Sequence, residues 1–204
     1  TNLYSVKSKP LITLHSLVIV FLFSSYAFGE ESEVKTDYWE NGNILFEAHY
    51  ENGKQEGQYT RWYENGVKET IGQFNKGLEE GLWTDWWSNG KKSSETSYKE
   101  GKQTGLATTW HRNGMKGSET LYRNGKKNGP HTSWDEDGGK LSESFYKNGK
   151  RNGLETWWWA NGLMWDLAHY KNGKLDGLRT TWYEDGRLQY KINYINGIEH
   201  YLRD

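Results

Sequence analysis

An aromatic residue recurs every 24 positions along most of this chain. The recurring position holds Tyr38, Trp62, Trp86, Trp110, Trp134, Trp158 and Trp182. A glycine follows four residues later in every unit, and no insertion or deletion breaks the period. A fixed internal period of this length is typical of repeat proteins, in which each unit packs only against its neighbours. We therefore predict seven stacked units over residues 38–201.

Each unit carries two turn signals. Glu64-Asn65-Gly66 is an example of the first and Asn52-Gly53-Lys54 of the second. Asn-Gly pairs suit hairpin turns, because glycine lacks a Cβ and asparagine tolerates the left-handed backbone region. A strand-length segment lies between successive turns, so each unit is predicted to form one β-hairpin. The predicted fold is all-β: one elongated antiparallel meander, with no helix beyond the N-terminal segment.

The first segment of each unit alternates fixed and variable side chains. In residues 57–63, Gln58, Thr60 and Trp62 share one face, and the equivalent columns are mostly Leu, always Thr, and Trp. The opposite face carries a column without a fixed identity: Tyr59, Trp83, Ala107, His131, Glu155 and Arg179. Alternation with period two indicates a half-buried strand.

The second segment of each unit ends in another aromatic column. A small residue such as Gly72 or Ala168 stands two positions before it, which leaves room for a neighbouring tryptophan. We expect the core of the sheet to combine the leucine column (Leu82, Leu106, Leu154, Leu178) with the two aromatic columns. The repeat-core residues that we predict are Trp62, Trp86, Trp110, Trp134, Trp158, Trp182, Tyr98, Tyr122, Tyr146 and Tyr170.

The N-terminal segment has the pattern of a secretory signal. Lys7 and Lys9 precede a largely apolar run over residues 11–23, and small residues follow at 25–29. We predict cleavage of residues 1–29, a linker over 30–37, and a short tail over 202–204, with export to the periplasm, the outer surface or the medium. The alternative is an uncleaved membrane anchor over residues 11–28, although this run is shorter than the roughly 20 residues of a spanning helix.

The composition excludes several classes of protein. The chain has 12 Trp and 14 Tyr, unlike disordered proteins, and no Cys for disulfides, thiolate metal sites or lipid attachment. Residues 1–29 hold two lysines and no acidic residue, so the remainder has a formal net charge of −3. Nucleic acid binding needs a basic face, which this charge disfavours.

Catalytic and metal-binding patterns are absent from the sequence. The histidines beyond residue 29 are scattered over the repeat: His49, His111, His131, His169 and His200. One acidic column (Glu47, Glu95, Glu119, Glu143) is a possible cation ladder but is more typical of a solvated strand face. We therefore predict no enzyme activity, cofactor or metal.

The unit resembles the MORN repeat, and most closely the bacterial variant grouped with YwqK-type antitoxins. The sequences that carry the resemblance are Trp62-Tyr63-Glu64-Asn65-Gly66 and residues 170–177, and it extends over residues 38–201. The resemblance implies an elongated sheet of hairpins that contacts proteins or membranes. It also implies an antitoxin role by analogy.

Tryptophans outside the fixed columns are the candidate partner-binding residues. By alternation, Trp157 and Trp159 should lie on the face opposite Trp158. Exposed aromatic side chains are enriched at the centres of binding interfaces. The candidates form two groups, Trp157, Trp159, Trp165 and Tyr183 in one and Trp83 and Trp87 in the other.

Three functions remain open from the sequence. The first is an interaction scaffold that binds another exported protein through its variable face. The second is a module that binds peptidoglycan or another glycan, because flat rings stack on sugars. The third is an antitoxin or immunity protein that binds a toxin.

Overall fold

The computed structural model describes residues 19–22 and 31–200, which form a single antiparallel sheet of 16 strands in sequence order. The strands are β1 (Ile19–Leu22), β2 (Ser32–Tyr38), β3 (Ile44–Glu51), β4 (Lys54–Trp62), β5 (Lys68–Asn75), β6 (Leu78–Trp86), β7 (Lys92–Lys99), β8 (Lys102–Trp110), β9 (Lys116–Arg123), β10 (Lys126–Trp134), β11 (Lys140–Lys147), β12 (Lys150–Trp158), β13 (Met164–Lys171), β14 (Lys174–Trp182), β15 (Leu188–Ile195) and β16 (Ile198–His200). The predicted all-β meander is confirmed.

The predicted signal segment lies mostly outside the described residues, whereas residues 32–37 of the predicted linker belong to strand β2, which pairs with β3. Of residues 1–29, only Ile19–Leu22 are described, as strand β1 paired with β2. No helix among the described residues has the length and apolar character needed to cross a bilayer. Signal cleavage and export remain predictions.

One of the two turns in each unit adopts the backbone angles that its sequence predicts, whereas in the turn of the Glu64-Asn65-Gly66 type only the glycine has a positive φ, 79° at Gly66. Asn52 and Gly53 join β3 to β4 with φ values of 49° and 74°. Positive φ at both central residues defines the hairpin turn whose twist matches the twist of the flanking strands. The same turn recurs in every unit, and Lys76 and Glu100 take the asparagine position in two of them.

The second turn also links each unit to the next. Asn65 Oδ1 accepts a hydrogen bond from Val67 N at 3.1 Å, while Asn65 Nδ2 donates to Ser88 O of the following unit at 2.9 Å. Four other asparagines donate across units in the same way: Asn41, Asn89, Asn113 and Asn161. Asp137 occupies this column in the fifth unit, and its carboxylate has no hydrogen to donate. This link is therefore missing between the fifth and sixth units.

Two bulges recur along the sheet, and the sequence analysis did not predict them. The register shifts where the first strand of a unit ends, for example between Arg61 and Trp62. It shifts again near Gly57, because Ala48 pairs with Tyr59 whereas Tyr50 pairs with Gln55. Gly57 has φ of 80° within the extra residues of β4. This conformation explains why a third glycine column recurs in the sequence.

One face of the sheet carries the invariant threonines, and we call it the fixed face. Cross-strand pairing aligns them in one row in which all six intervening positions hold Glu, Ile or Leu, and a lysine ends the row. The row runs Thr36, Glu47, Thr60, Ile71, Thr84, Glu95, Thr108, Glu119, Thr132, Glu143, Thr156, Leu167, Thr180 and Lys191. Lys92 pairs with Glu95 at 3.1 Å and lies 5.2 Å above the Trp110 ring. Equivalent lysines pair with Glu119 and Glu143, so lysines neutralise most of the charge of the acidic column.

The predicted core is wrong in its arrangement. The leucine column on the fixed face is largely exposed, at 51% for Leu154 and 53% for Leu82. A single-layer sheet has no second layer to cover these side chains. The tyrosine column lies on the opposite face from the Trp62 column, as the T-shaped contact between His131 and Tyr146 shows.

The opposite face, which we call the variable face, contains the most deeply buried residues. It carries the column of Tyr59, Trp83, Ala107, His131, Glu155 and Arg179. Between these side chains lie small residues that their larger neighbours cover, including Ala48 at 1% exposure, Ser144 at 2% and Ala168 at 2%. Burial on this face therefore comes from small residues beneath large ones.

Gly72 shows why a small residue is required beside a ring. A Cβ at this position would lie 2.2 Å from the Trp83 ring. The sequence correctly predicted room for a neighbouring tryptophan, but the ring belongs to the variable column. Trp83 also packs on Phe74 at 5.0 Å and on Tyr59 at 5.9 Å between ring centroids.

We predict that Gly72→Ala lowers the free energy of unfolding by about 1–3 kcal/mol, because the added methyl group must displace the Trp83 ring. Urea denaturation measures the change. In a Trp83→Ala background the same substitution should cost much less. An equal cost in both backgrounds would contradict the steric explanation.

We predict that removing an asparagine from the interunit column and introducing one where it is absent have opposite effects on stability. Asn113→Asp removes a donor to Glu136 O and should cost about 1 kcal/mol, whereas Asp137→Asn adds a donor near the sixth unit and should stabilise by a similar amount. Thermal melts at low protein concentration compare both variants with wild type. Destabilisation by Asp137→Asn would refute this assignment.

Candidate functional site

The candidate site lies on the variable face, next to the turns that follow the Trp column. A row of side chains crosses all units here, and cross-strand pairing sets its order. The row runs Phe46, Arg61, Thr70, Asp85, Ser94, Thr109, Ser118, Ser133, Ser142, Trp157, Asp166, Thr181 and Tyr190. Hydroxyl groups dominate its centre, and a tryptophan interrupts it in β12.

A ladder of rings borders this row. In the first four units, the residue that follows the Trp column turns its side chain toward the next unit and contacts the carbonyl oxygen of that unit's Trp. Asp135 holds this position in the fifth unit and accepts hydrogen bonds within its own turn. Trp39 Nε1 donates to Trp62 O at 3.0 Å, and Tyr63 OH donates to Trp86 O at 2.8 Å. Trp87 Nε1 donates to Trp110 O at 3.0 Å, and His111 Nε2 lies 2.8 Å from Trp134 O. The sequence analysis treated Trp87 as a residue that the repeat does not require, but its hydrogen bond to Trp110 O links two units.

The structure separates the second predicted group. Trp83 belongs to the packed rings of Tyr59, Phe74 and Tyr98, and its Nε1 is buried without a hydrogen-bond partner. Trp87 belongs instead to the ring ladder and lines an open groove. The two tryptophans share a face but lie in different environments.

The groove extends across the second to fourth units and has a volume of about 560 Å³. Tyr63, Trp87 and His111 line it on the side of the turns, and Asp85 and Ser94 lie on its floor. The sequence analysis did not select these polar residues. Alternation places them on the variable face, but only the cross-strand register brings Asp85 beside Ser94.

The first predicted group is brought together in part. The Trp165 ring lies 6.0 Å from that of Trp157 and 5.8 Å from that of Trp159, between centroids. We call these three residues the tryptophan cluster. Tyr183 is 47% exposed, and its ring lies 5.8 Å from the Arg187 guanidinium, so its described contacts do not join it to the cluster.

The tryptophan cluster replaces the pattern seen in other units. Trp157 stands where Thr109 and Ser133 stand in their units, and Trp165 stands where Ser93 and Gly117 stand. Trp159 belongs to the ring ladder, yet its Nε1 is buried with no hydrogen-bond partner. The sixth unit therefore departs from the repeat both in side-chain size and in bonding.

A buried ion pair adjoins the cluster. Asp166 pairs with Trp157 across the strands and is 5% exposed. The Arg179 guanidinium donates to it from Nε at 3.0 Å and from Nη2 at 2.5 Å. This bidentate bond to Asp166 raises the pKa of Arg179 above its already high value. The pair fixes the strand behind the cluster and satisfies the buried carboxylate.

The histidines contact different partners and do not come together in one site. Besides the His111 contact, His131 Nδ1 lies 2.7 Å from Thr120 Oγ1, and His169 Nδ1 lies 2.6 Å from Asp176 O. His49 Nε2 is 3.9 Å from Glu47. His111 and His131 are partly buried. Within residues 31–200, no three acidic or histidine side chains are grouped closely enough to hold a metal ion.

Comparison with known families agrees with the repeat architecture. The model described as MORN repeat variant matches residues 34–52, 55–76, 79–100, 127–148 and 175–196, which together make up more than half of the chain. The match identifies the repeat and no subgroup within it. A search of curated proteins finds no match.

We predict that His131 makes stability depend on pH. Burial, and then the Lys127 charge, lower the pKa of His131 below its usual value of about 6.5. The neutral ring is favoured in the folded state, so its contribution is complete above that value and is lost as the pH falls through the folded-state pKa. Between about pH 7.5 and about pH 5, wild type should lose more thermal stability than His131→Gln. Parallel melting curves would contradict this.

Proposed function

Because the chain belongs to the MORN repeat variant family, we propose that it is a non-enzymatic, exported interaction protein whose tryptophan cluster binds a partner protein. The MORN repeat fold is usually a binding element rather than a catalytic one. The described part of the chain offers an extended surface with fixed spacing, which suits a scaffold. Export rests on Lys7, Lys9 and the apolar run of the N-terminal segment.

The unpartnered Trp159 Nε1 is the observation that carries this proposal. A buried donor without an acceptor costs about 1–3 kcal/mol, and equivalent ladder residues avoid that cost by bonding to the next unit. A buried group left unsatisfied in a native structure requires an explanation. Trp83 Nε1 is also unpartnered, but Trp159 differs from it because the other rings of its column bond to the next unit. Reorientation of the three rings on a partner's surface would let the indole N–H reach an acceptor.

The size and type of the side chains also support protein binding at this place. Three half-buried indole rings within about 6 Å of their neighbours form an apolar patch. Tryptophan is the residue most enriched among those that dominate binding energy. The exposed Tyr183, one unit further on, is a separate aromatic side chain at the repeat position of Trp159.

The test is capture of a partner from an envelope extract by the full chain and by Trp157→Ala/Trp159→Ala. The proposal predicts that wild type retains a specific protein and that the double variant retains at least tenfold less, because two apolar contacts are lost. The partner should be an envelope protein, as export requires. If this protein is a toxin, the antitoxin alternative becomes the correct form of the proposal.

Leu106→Ala/Leu154→Ala is the matched control, because both leucines are about half exposed on the fixed face. This variant should capture the partner as well as wild type does. Loss of capture by the leucine variant alone would move the binding surface to the fixed face. Melting curves of both double variants verify that the sheet is intact.

A further inference from the structure

We propose that the groove of the second to fourth units is a separate binding site for a linear β-1,4-linked glycan. The groove lies on the variable face, two units away from the tryptophan cluster. It combines ring surfaces with carboxylate and hydroxyl groups, the side-chain types that bind neutral sugars.

The floor of the groove supplies hydrogen-bonding groups. Asp85 accepts from Thr70 Oγ1 at 2.8 Å and from Ser94 Oγ at 2.5 Å. On the adjoining strands, the Thr109 and Ser118 hydroxyl oxygens are 2.8 Å apart. A carboxylate has about four acceptor positions and each hydroxyl can both donate and accept, so capacity remains for sugar hydroxyls. The internal bonds hold these groups in place before a ligand arrives.

The wall of the groove supplies rings in fixed orientations. Tyr63, Trp87 and His111 are each tied to a backbone carbonyl of the next unit, which restrains their rotation. Binding therefore costs little side-chain entropy. Gly117 keeps the space beside His111 open, because a Cβ there would lie 3.3 Å from His111 Nε2 and from Thr109 Oγ1.

The spacing of the rings suits this class of glycan. Successive rings of the ladder are one unit apart, which is roughly 9.6 Å, or twice the distance between neighbouring strands. One disaccharide of an extended β-1,4-linked chain has nearly this length. Alternate sugars of such a chain would therefore meet equivalent rings in successive units.

Other ligand classes fit the groove less well. The charged residues that line it are Glu69 and Asp85. Arg61 pairs with Glu69, and Arg112 lies 5.8 Å from the centre of the Trp87 ring, but neither arginine lines the groove. The acidic lining therefore disfavours phosphate and nucleic acid. Extended peptides add to sheet edges through main-chain hydrogen bonds. This groove instead crosses strands whose backbone groups are already paired within the sheet.

The groove does not continue into the sixth unit. Trp157 and Trp165 occupy the positions that hydroxyl-bearing or small residues hold beside the groove. The glycan site and the tryptophan cluster can therefore be removed independently by substitution.

The test is calorimetric titration of the full chain with cellotetraose and, separately, chitotetraose, with α-1,4-linked maltotetraose as the control sugar. We expect saturable binding of at least one β-linked tetrasaccharide and none of maltotetraose. Trp87→Ala and Asp85→Asn should each weaken binding at least tenfold. Absence of saturable binding by both β-linked sugars, or equal binding of maltotetraose, overturns the proposal.

Trp39→Ala is the matched control variant. Trp39 makes the same interunit hydrogen bond as Trp87 but does not line the groove. Its substitution, like Trp157→Ala/Trp159→Ala, should change the dissociation constant less than twofold. An effect of Trp39→Ala equal to that of Trp87→Ala would mean that the ring acts only through the fold, which also overturns the proposal. The two proposals are tested separately by the same variants. Partner capture should be lost in Trp157→Ala/Trp159→Ala but kept in Trp87→Ala, whereas glycan binding should show the reverse.

Discussion

The register of the strands is the constraint on which every other feature depends. A shift of one residue in the pairing of two strands would move the side chains of one strand to the other face, so equivalent residues would no longer align in rows. Both kinds of turn hold the register: Asn52 and Gly53 in one by their positive φ values, and Asn65 in the other by capping its own turn and bonding to Ser88 O. Because the period never varies, columns in the sequence become continuous rows across the sheet. The ring ladder, the hydroxyl row and the threonine row all follow from this one condition.

A single-layer sheet must obtain its stability without a conventional core. No large side chain among the described residues is fully buried, and apart from Tyr194 the buried positions hold small or polar residues. Large side chains cover small ones on the variable face, while lysines lie over tryptophan rings on the fixed face. Each unit contacts mainly its neighbours, so the array tolerates a local change. This property allows the sixth unit to carry the tryptophan cluster without altering the strands around it.

The two candidate sites illustrate different uses of the same scaffold. In the groove, the ring ladder keeps its interunit bonds, and the polar row beside it stays accessible. In the tryptophan cluster, Trp157 takes one position of the polar row, and the ladder member Trp159 has no acceptor. One site is therefore an ordered polar trough and the other an apolar surface with an unsatisfied donor. Their chemical difference arises from a few substitutions at equivalent positions.

The sequence alone predicts the all-β meander and the positive φ values of the Asn52-Gly53 type of turn, because these depend on local spacing and on Asn-Gly chemistry. It also placed Trp157 and Trp159 together on the variable face, since alternation is a local property. The tertiary structure alone decided that the leucine column stays exposed, that Trp87 bonds to Trp110 O, and that Asp85 meets Ser94 in a groove. These features depend on bulges and on cross-strand register, which join residues of different strands. A pattern read along one strand does not contain that information.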